Sequence, residues 1–436
     1  MLALSILLQS SDMGLGQRGR LKALELRDLA QCHFDLSLNS GWITADLAQA
    51  ALLLVIFEAC CHPAHSESRA RSALFLLDSL ILGLGFLDLD KEYNATTFRP
   101  NSVPSLGVPF SDHIGQAAIG PGATQRGCSC SYFQLSTTSP SSRRITPLWA
   151  TCPGWNDDWD VIETRREEQR ELVWTALYLT SGFLSHYSSV MSQNLSIAKA
   201  WNFKVFFPAE RLFGTPQMQV DLAAKHSIWA LQARCHMLYT SCLSVHHDES
   251  ISEYDKGQFA VQAWLETEQI KQMLESHTCD IEKANLYFGR QILFDTQNLV
   301  SSQYTRYVPH PSIGDPLFHR DKAELWLRHQ KNVMQGFLAA LSRVTGSKEN
   351  SLATRPYFTF WFHDQLARYL DIWVQDPTLR IALDLCVQLL PPAEYLMGLF
   401  PSNYAIEKYE ALHLRLVDAC NCTGIPAPSP PNYTIL

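Results

Sequence analysis

Residues 147–187, PLWATCPGWNDDWDVIETRREEQRELVWTALYLTSGFLSHY, form a turn punctuated by Trp and Pro, then an acidic cluster, then a long aromatic and apolar stretch. Pro147 and Pro153 push the residues before them out of helical geometry. Asp157, Asp158, Asp160 and Glu163 gather where a helix N-terminus favours negative charge. Leu172, Ala176, Leu179 and Phe183 then fall on one helical face, so the spacing predicts a helix from Ile162 to about Met191.

The same signals recur on both sides. In SGWITADLAQAALLLVIFEACCHPAH, from Ser40, Thr44 caps, Leu47 opens an apolar run and Pro63 forbids continuation, which predicts a buried helix. Ser66 caps a second helix, in which Leu74, Leu77, Ile81 and Leu84 recur at helical spacing and Gly83 and Gly85 mark the exit. The few residues between the two predict an antiparallel hairpin. Further helices are expected at Gln217 to His246, Lys256 to Ser276, Ile281 to Val300, Arg320 to Val344, Tyr357 to Trp373, Thr378 to Leu390 and Asn403 to Cys420. In the helix from Arg320, Trp326, Val333, Phe337, Leu341 and Val344 oppose Lys322, Arg328 and Lys331. No segment alternates as a strand would, and neither heptads nor a fixed repeat occur. The expected class is all-α, a multi-helix array of antiparallel helical hairpins. Residues 93–146, rich in Ser, Thr, Pro and Gly, read as a long irregular loop, and residues 421–436 as a disordered Pro-rich tail.

Composition narrows the function. The 436 residues suffice for a sizeable core, and 46% hydrophobic against 18% charged argues for packing over disorder. A formal charge of −8 offers no basic footprint for phosphates. The basic runs Gln17 to Lys22 and Ser141 to Arg144 are short and read as solvated surface. The twelve cysteines form no dense framework, which points to reduced thiols. The first residues, MLALSILLQSSDMG, lack a basic start and have a short apolar core, so no export signal is read, and the sequons at Asn94, Asn194, Asn421 and Asn432 read as chance. Glu58 and Asp78 interrupt the longest apolar stretches, and no membrane span is expected.

Chemistry-bearing motifs are few. No G-x-S-x-G, phosphate-cradling loop, H-E-x-x-H or dinucleotide fingerprint occurs. Cys60, Cys61, His62 and His65 are residue types that bind zinc. Successive helical side chains diverge by about 100°, however, and Pro63 turns the chain, so a helix end with two core thiols and polar turn histidines is expected. Cys128 and Cys130 are too close for a C-x-x-C chelate and have no matching second pair, so they read as ordinary loop or core residues. His246 and His247 suit a helix C-terminus. Asp157, Asp158 and Asp160 are spaced DDxD, whereas the magnesium site of terpenoid synthases is DDxxD with a second set elsewhere, and the dipole reading is preferred. Trp149, Trp155, Trp159 and Trp174, and Trp361 with Phe358, Phe360 and Phe362, read as core, with an apolar effector pocket between helices as the other use.

Two blocks carry a resemblance. His62 to Asp90 contains H-x-x-H-S-x-x-R (His62 to Arg69) and S-A-L-x-x-L-D (Ser72 to Asp78), and Pro147 to Leu179 contains P-L-W, P-x-W and R-R-E-E at Pro147, Pro153 and Arg165. In order and spacing they resemble the regulatory, or middle homology, region of fungal-specific transcription factors. The resemblance implies one helical regulatory domain over residues 21–420 that includes the 93–146 loop. It further implies a nuclear location and contacts with the transcription machinery, regulatory proteins or a small-molecule effector. Such proteins read DNA through a separate module of six cysteines and two zinc ions, and its C-x-x-C-x6-C half-motif is missing from this sequence. The expectation is a transcription regulator's regulatory domain that does not itself bind DNA specifically, is not an enzyme and has no assigned cofactor, catalytic residue or metal ligand. The alternative is an all-α magnesium-dependent enzyme like the terpenoid synthases, using Asp157, Asp158 and Asp160.

Overall fold

Side-chain caps set where several helices begin. Thr44 Oγ1 accepts the Leu47 N–H at 3.3 Å, Asp160 Oδ1 that of Glu163 at 2.7 Å, Ser227 Oγ that of Ala230 at 3.2 Å and Ser252 Oγ that of Asp255 at 3.1 Å. The structure, a computed structural model, describes residues 1–10, 15–93, 95–106, 128–138, 151–187, 189–213, 222–284, 287–307, 320–342 and 352–433. Its longer helices are α1 (Leu2–Gln9), α2 (Gly16–Asn39), α3 (Ala45–Ala59), α4 (Glu67–Gly83), α5 (Val161–His186) and α6 (Ile228–His247). They continue as α7 (Glu253–Glu275), α8 (Phe288–Tyr307), α9 (Arg320–Ser342), α10 (Phe358–Gln375), α11 (Arg380–Leu399) and α12 (Asn403–Thr423). Among the described residues no strand forms, and one isolated bridge joins Gln134 and Pro153. The fold is all-α, with helices packed on helices.

Two units divide the chain, Met1–Leu77 with Phe318–Leu436, and Asp78–Leu317. Both units draw on the stretch 21–420 that the sequence reads as one regulatory domain. In the first unit, α10 packs on α11 and α12, α9 on α11, and α2 on both α1 and α3. Phe57, Leu74, Phe362, Tyr369, Leu383, Phe400 and Tyr409 are buried there. In the second unit α6 lies at the centre, between α5, α7 and α8, and Gln232 is its one residue from Ile228 to Val245 that is not buried. A helix enclosed on all sides must settle its charges internally. Arg234 Nη2 does so on Glu266 of α7 at 2.6 Å.

Several expectations change. α1 and α2 form before residue 40, where no helix was expected, and Arg20 in the basic run is buried instead of solvated. The helix expected over Ile281 to Val300 is broken: Ile281–Ala284 is a single turn, and Tyr287, with φ 56°, resets the chain before α8. α11 continues through Pro391 and Pro392 to Leu399, because Leu389, Ala393 and Leu396 are fully buried and packing outweighs the missing backbone donors. The Pro-rich tail turns back at Gly424 (φ 67°), and the Ser429 carbonyl lies 3.0 Å from His413 Nε2 on α12. Within the 93–146 loop, Cys130–Tyr132 forms a 3-10 turn and Leu135–Thr138 a helical turn. Trp149, the run Ser141 to Arg144, Val344 and the side chains of Lys322, Phe337 and Leu341 lie outside the described residues. Trp326 and Val333 are buried as the stripe requires, with Arg328 and Lys331 exposed.

Candidate metal centre

In the second unit, α7 ends at Glu275, and the chain runs on through His277, Thr278 and Cys279. Facing it is the short stretch Cys128, Ser129, Cys130. Ser129 has φ −85° and ψ 0°, a bend that shortens the reach between its neighbours and turns both thiols to one side. Three hydrogen bonds fix this stretch and the turns that follow it. Cys128 N–H donates to Thr278 Oγ1 at 3.1 Å, Leu135 N–H to the Cys152 carbonyl at 2.8 Å and Gly154 N–H to the Phe133 carbonyl at 2.6 Å.

The result is a cluster of four groups. Cys128 Sγ, Cys130 Sγ, Cys279 Sγ and one ring nitrogen of His277 all lie within 4.8 Å of one another, and Cys130 Sγ is 3.7 Å from His277 Nδ1. The other ring nitrogen, Nε2, is 2.9 Å from the His226 carbonyl. A carbonyl only accepts, so Nε2 carries a proton, and it is Nδ1 that faces the sulfurs. Ile228 N–H, in the first turn of α6, donates to Cys130 Sγ at 3.4 Å. Cys130 is buried, while Cys128, His277 and Cys279 are half-buried, so the cluster is open to solvent on one side.

Electrostatics register the crowding. Hydrogen bonds from Cys130 and Cys279 pull the Cys128 thiol down from its ordinary range, and its partner Cys130 is pushed up. Burial disfavours the charged His277 ring, yet the sulfurs of Cys128 and Cys279 prevail and raise it to about 9. The cluster attracts positive charge. Three sulfurs and an imidazole are the donor set of structural zinc.

Sequence reasoning missed this site. Cys128 and Cys130 do have a second pair, His277 and Cys279, placed at the same i, i+2 spacing just beyond a helix end. Neither pair has the C-x-x-C spacing, and the signal in the sequence is the H-x-C that matches the C-x-C.

The other expected residues lie elsewhere. In the first unit Cys60 and Cys61 are core thiols, and Cys61 Sγ donates to the Phe400 carbonyl at 3.1 Å. His62 and His65 bracket the turn after α3 as expected but are buried, and His62 Nε2 sits 3.4 Å from Glu58 Oε2, while Arg27 and Arg69 reach Oε1 of the same carboxylate at 2.7 and 3.1 Å. Asp157, Asp158 and Asp160 are exposed at the start of α5, where Asp160 is the cap. His246 and His247 end α6. Trp174 is buried, with its Nε1–H on the Phe206 carbonyl at 2.9 Å, whereas Trp155 is exposed and meets Trp159 edge-on. Phe358, Phe360 and Phe362 are core.

A second cluster in the same unit is wholly structural. Arg170 of α5 binds Asp90 with two nitrogens and Glu163 and Glu167 with a third, and Arg211 adds a bond to Glu163 at 3.2 Å. Among the described residues no single helix is long and apolar enough to cross a membrane. In comparisons with known proteins, no family model, no curated protein and no solved structure matches this chain.

Proposed function

We propose that the chain is the helical regulatory region of a fungal-type transcription regulator, acting in the nucleus through contacts with regulatory proteins, the transcription machinery or a small effector. One observation carries the reading. The two sequence blocks that prompted the resemblance meet each other: Asp90, the last residue of the first, is gripped by Arg170 of the second, and Glu167 of the R-R-E-E element completes the network. Asp78, from the S-A-L-x-x-L-D element, accepts the Ser196 and Ile197 N–H groups at 3.0 and 2.8 Å. The charged residues of both blocks thus hold helices and turns in place, which suits a framework for contacts better than a reaction centre.

The magnesium-dependent alternative finds less support. Asp157, Asp158 and Asp160 are exposed at a helix start, and Asp160 already accepts a backbone N–H, as a cap does. A net charge of −8 also suits a chain that leaves DNA contact to a separate basic zinc-cluster module.

The test is to fuse the chain to an unrelated DNA-binding module and read transcription from a promoter bearing that module's site. The expected result is output that differs from the module alone and returns to the module's level when Arg170 is changed to Ala. Identical output with and without the chain, or tight sequence-specific retention of the chain alone on duplex DNA across a salt series, overturns the reading.

A further inference from the structure

We propose that Cys128, Cys130, Cys279 and His277 Nδ1 bind one Zn2+ in a closed tetrahedral site that fastens residues 128–138 to the α7–α8 connection. The site stands apart from the regulator reading and would hold if that reading failed. It is also distinct from the six-cysteine module, whose spacing it does not share.

Geometry is the first argument. Zn–S bonds of about 2.3 Å and a Zn–N bond of about 2.0 Å in a tetrahedron set S···N edges of roughly 3.6 Å and S···S edges of roughly 3.8 Å. Cys130 Sγ and His277 Nδ1 are 3.7 Å apart, and no pair in the cluster exceeds 4.8 Å. All the cysteines are free thiols, so no disulfide accounts for the gathering of three sulfurs.

The surroundings are the second argument. A metal-bound histidine characteristically donates its other ring N–H to a carbonyl, which fixes the tautomer and the ring orientation. His277 Nε2 makes that bond to the His226 carbonyl at 2.9 Å. Thiolate sulfur is steadied by backbone N–H donors, and Cys130 has the Ile228 N–H at the N-terminal end of α6. Thr278 Oγ1–H points to Cys128 Sγ at 3.9 Å.

The choice of metal follows from the donors. Three sulfurs and one imidazole favour zinc over the hard cations, and four protein donors make the site structural, without a position for substrate. Binding expels three protons from the four groups to solvent, and the filled site, three thiolates and a neutral imidazole on Zn2+, carries one net negative charge.

The experiment uses the full chain, expressed in zinc-supplemented medium and purified under reductant. Bound metal is measured by elemental mass spectrometry, and the metal-stripped chain is titrated with Co2+. The expected result is one zinc per chain and, with one equivalent of cobalt, intense sulfur-to-cobalt charge transfer and tetrahedral d–d bands. Cys128→Ser and Cys279→Ser, at half-buried positions, should each abolish the bands, and Cys32→Ser, exposed on α2, should leave them. Alkylation of the unmutated chain gives an independent reading, since Zn2+ should shield Cys128, Cys130 and Cys279 and leave Cys32 and Cys422 reactive. Substoichiometric zinc without cobalt bands, bands that survive both serine variants, or alkylation indifferent to Zn2+ would each overturn the proposal.

Discussion

Arg170 grips Asp90 through two parallel bonds, Nε to Oδ2 at 2.9 Å and Nη2 to Oδ1 at 2.7 Å, and both side chains are buried although eighty positions separate them. The same guanidinium serves Glu163 and Glu167 through Nη1, each at 2.8 Å. Arg170→Ala therefore strands buried carboxylates and should lower unfolding free energy by roughly 3–5 kcal/mol. Arg170→Lys, which keeps the charge and loses the planar fork, should fall between that and the unmutated chain. Urea unfolding followed through tryptophan fluorescence and circular dichroism reads both. A loss below about 1 kcal/mol for the alanine variant would mean the network behaves as a solvated surface pair.

Glu58 sets a pH dependence in the first unit. Burial alone would raise its carboxyl, but hydrogen bonds from His62 and Arg69 and the charge of Arg27 hold it at about 2 instead of 4.5. A depressed carboxyl contributes stability that is fully present above the unfolded value and is lost as pH falls through the folded one. The window is pH 4.5 down to about 2, and the amount is roughly 3 kcal/mol. Denaturation midpoints over that window should fall more steeply for the unmutated chain than for Glu58→Gln. Parallel profiles would show that Glu58 is not the group responsible.

The acidic cluster before α5 should split by role. Asp160→Ala removes the cap on the Glu163 N–H and should cost about 1 kcal/mol. Asp157→Ala and Asp158→Ala, both exposed, should stay within about 0.5 kcal/mol of the unmutated protein. Added Mg2+ should not move the thermal midpoint of any of the three. A magnesium-dependent rise that disappears in the Asp157 and Asp158 variants would restore the enzyme alternative.

Metal removal should weaken the second unit. With zinc at about a hundredfold over its dissociation constant, binding to the folded state contributes about 2.7 kcal/mol. For a unit of this size that corresponds to a fall of roughly 5–10 °C in thermal midpoint on chelation. Calorimetry with and without chelator, followed by zinc readdition, checks both the size and the reversal. An unchanged midpoint would mean the four side chains stand together without holding metal.

Helices were legible wherever caps and apolar spacing agreed. Thr44 and Asp160 mark starts that the structure places within a residue of those expected, and α7 and α12 lie within three residues of their predicted bounds. The reading failed where long-range packing overrode a local rule. Pro391 looked like a stop and lies inside α11, and α2, whose buried face includes Arg20 and Arg27, carries no clean apolar stripe. The cluster of three cysteines and His277 was half visible. Cys128 and Cys130 could be seen as a pair, but their partners lie about 150 positions away and are brought in only by the packing of α6 and α7. The Glu58 and Arg170 networks were hidden for the same reason, since nothing local in an Asp, Glu or Arg says that it will be buried against its opposite.

The bond from Cys128 N–H to Thr278 Oγ1 spans 150 positions, and that separation has a consequence in time. A ribosome adding about 5–20 residues per second leaves Cys128 and Cys130 without His277 and Cys279 for about 8–30 s. Over that interval a two-thiol hook is exposed on an incomplete chain, at greatest risk from oxidants and stray metal. The closing of this cluster is thus timed by translation, and the last residues needed for it arrive just beyond the end of α7.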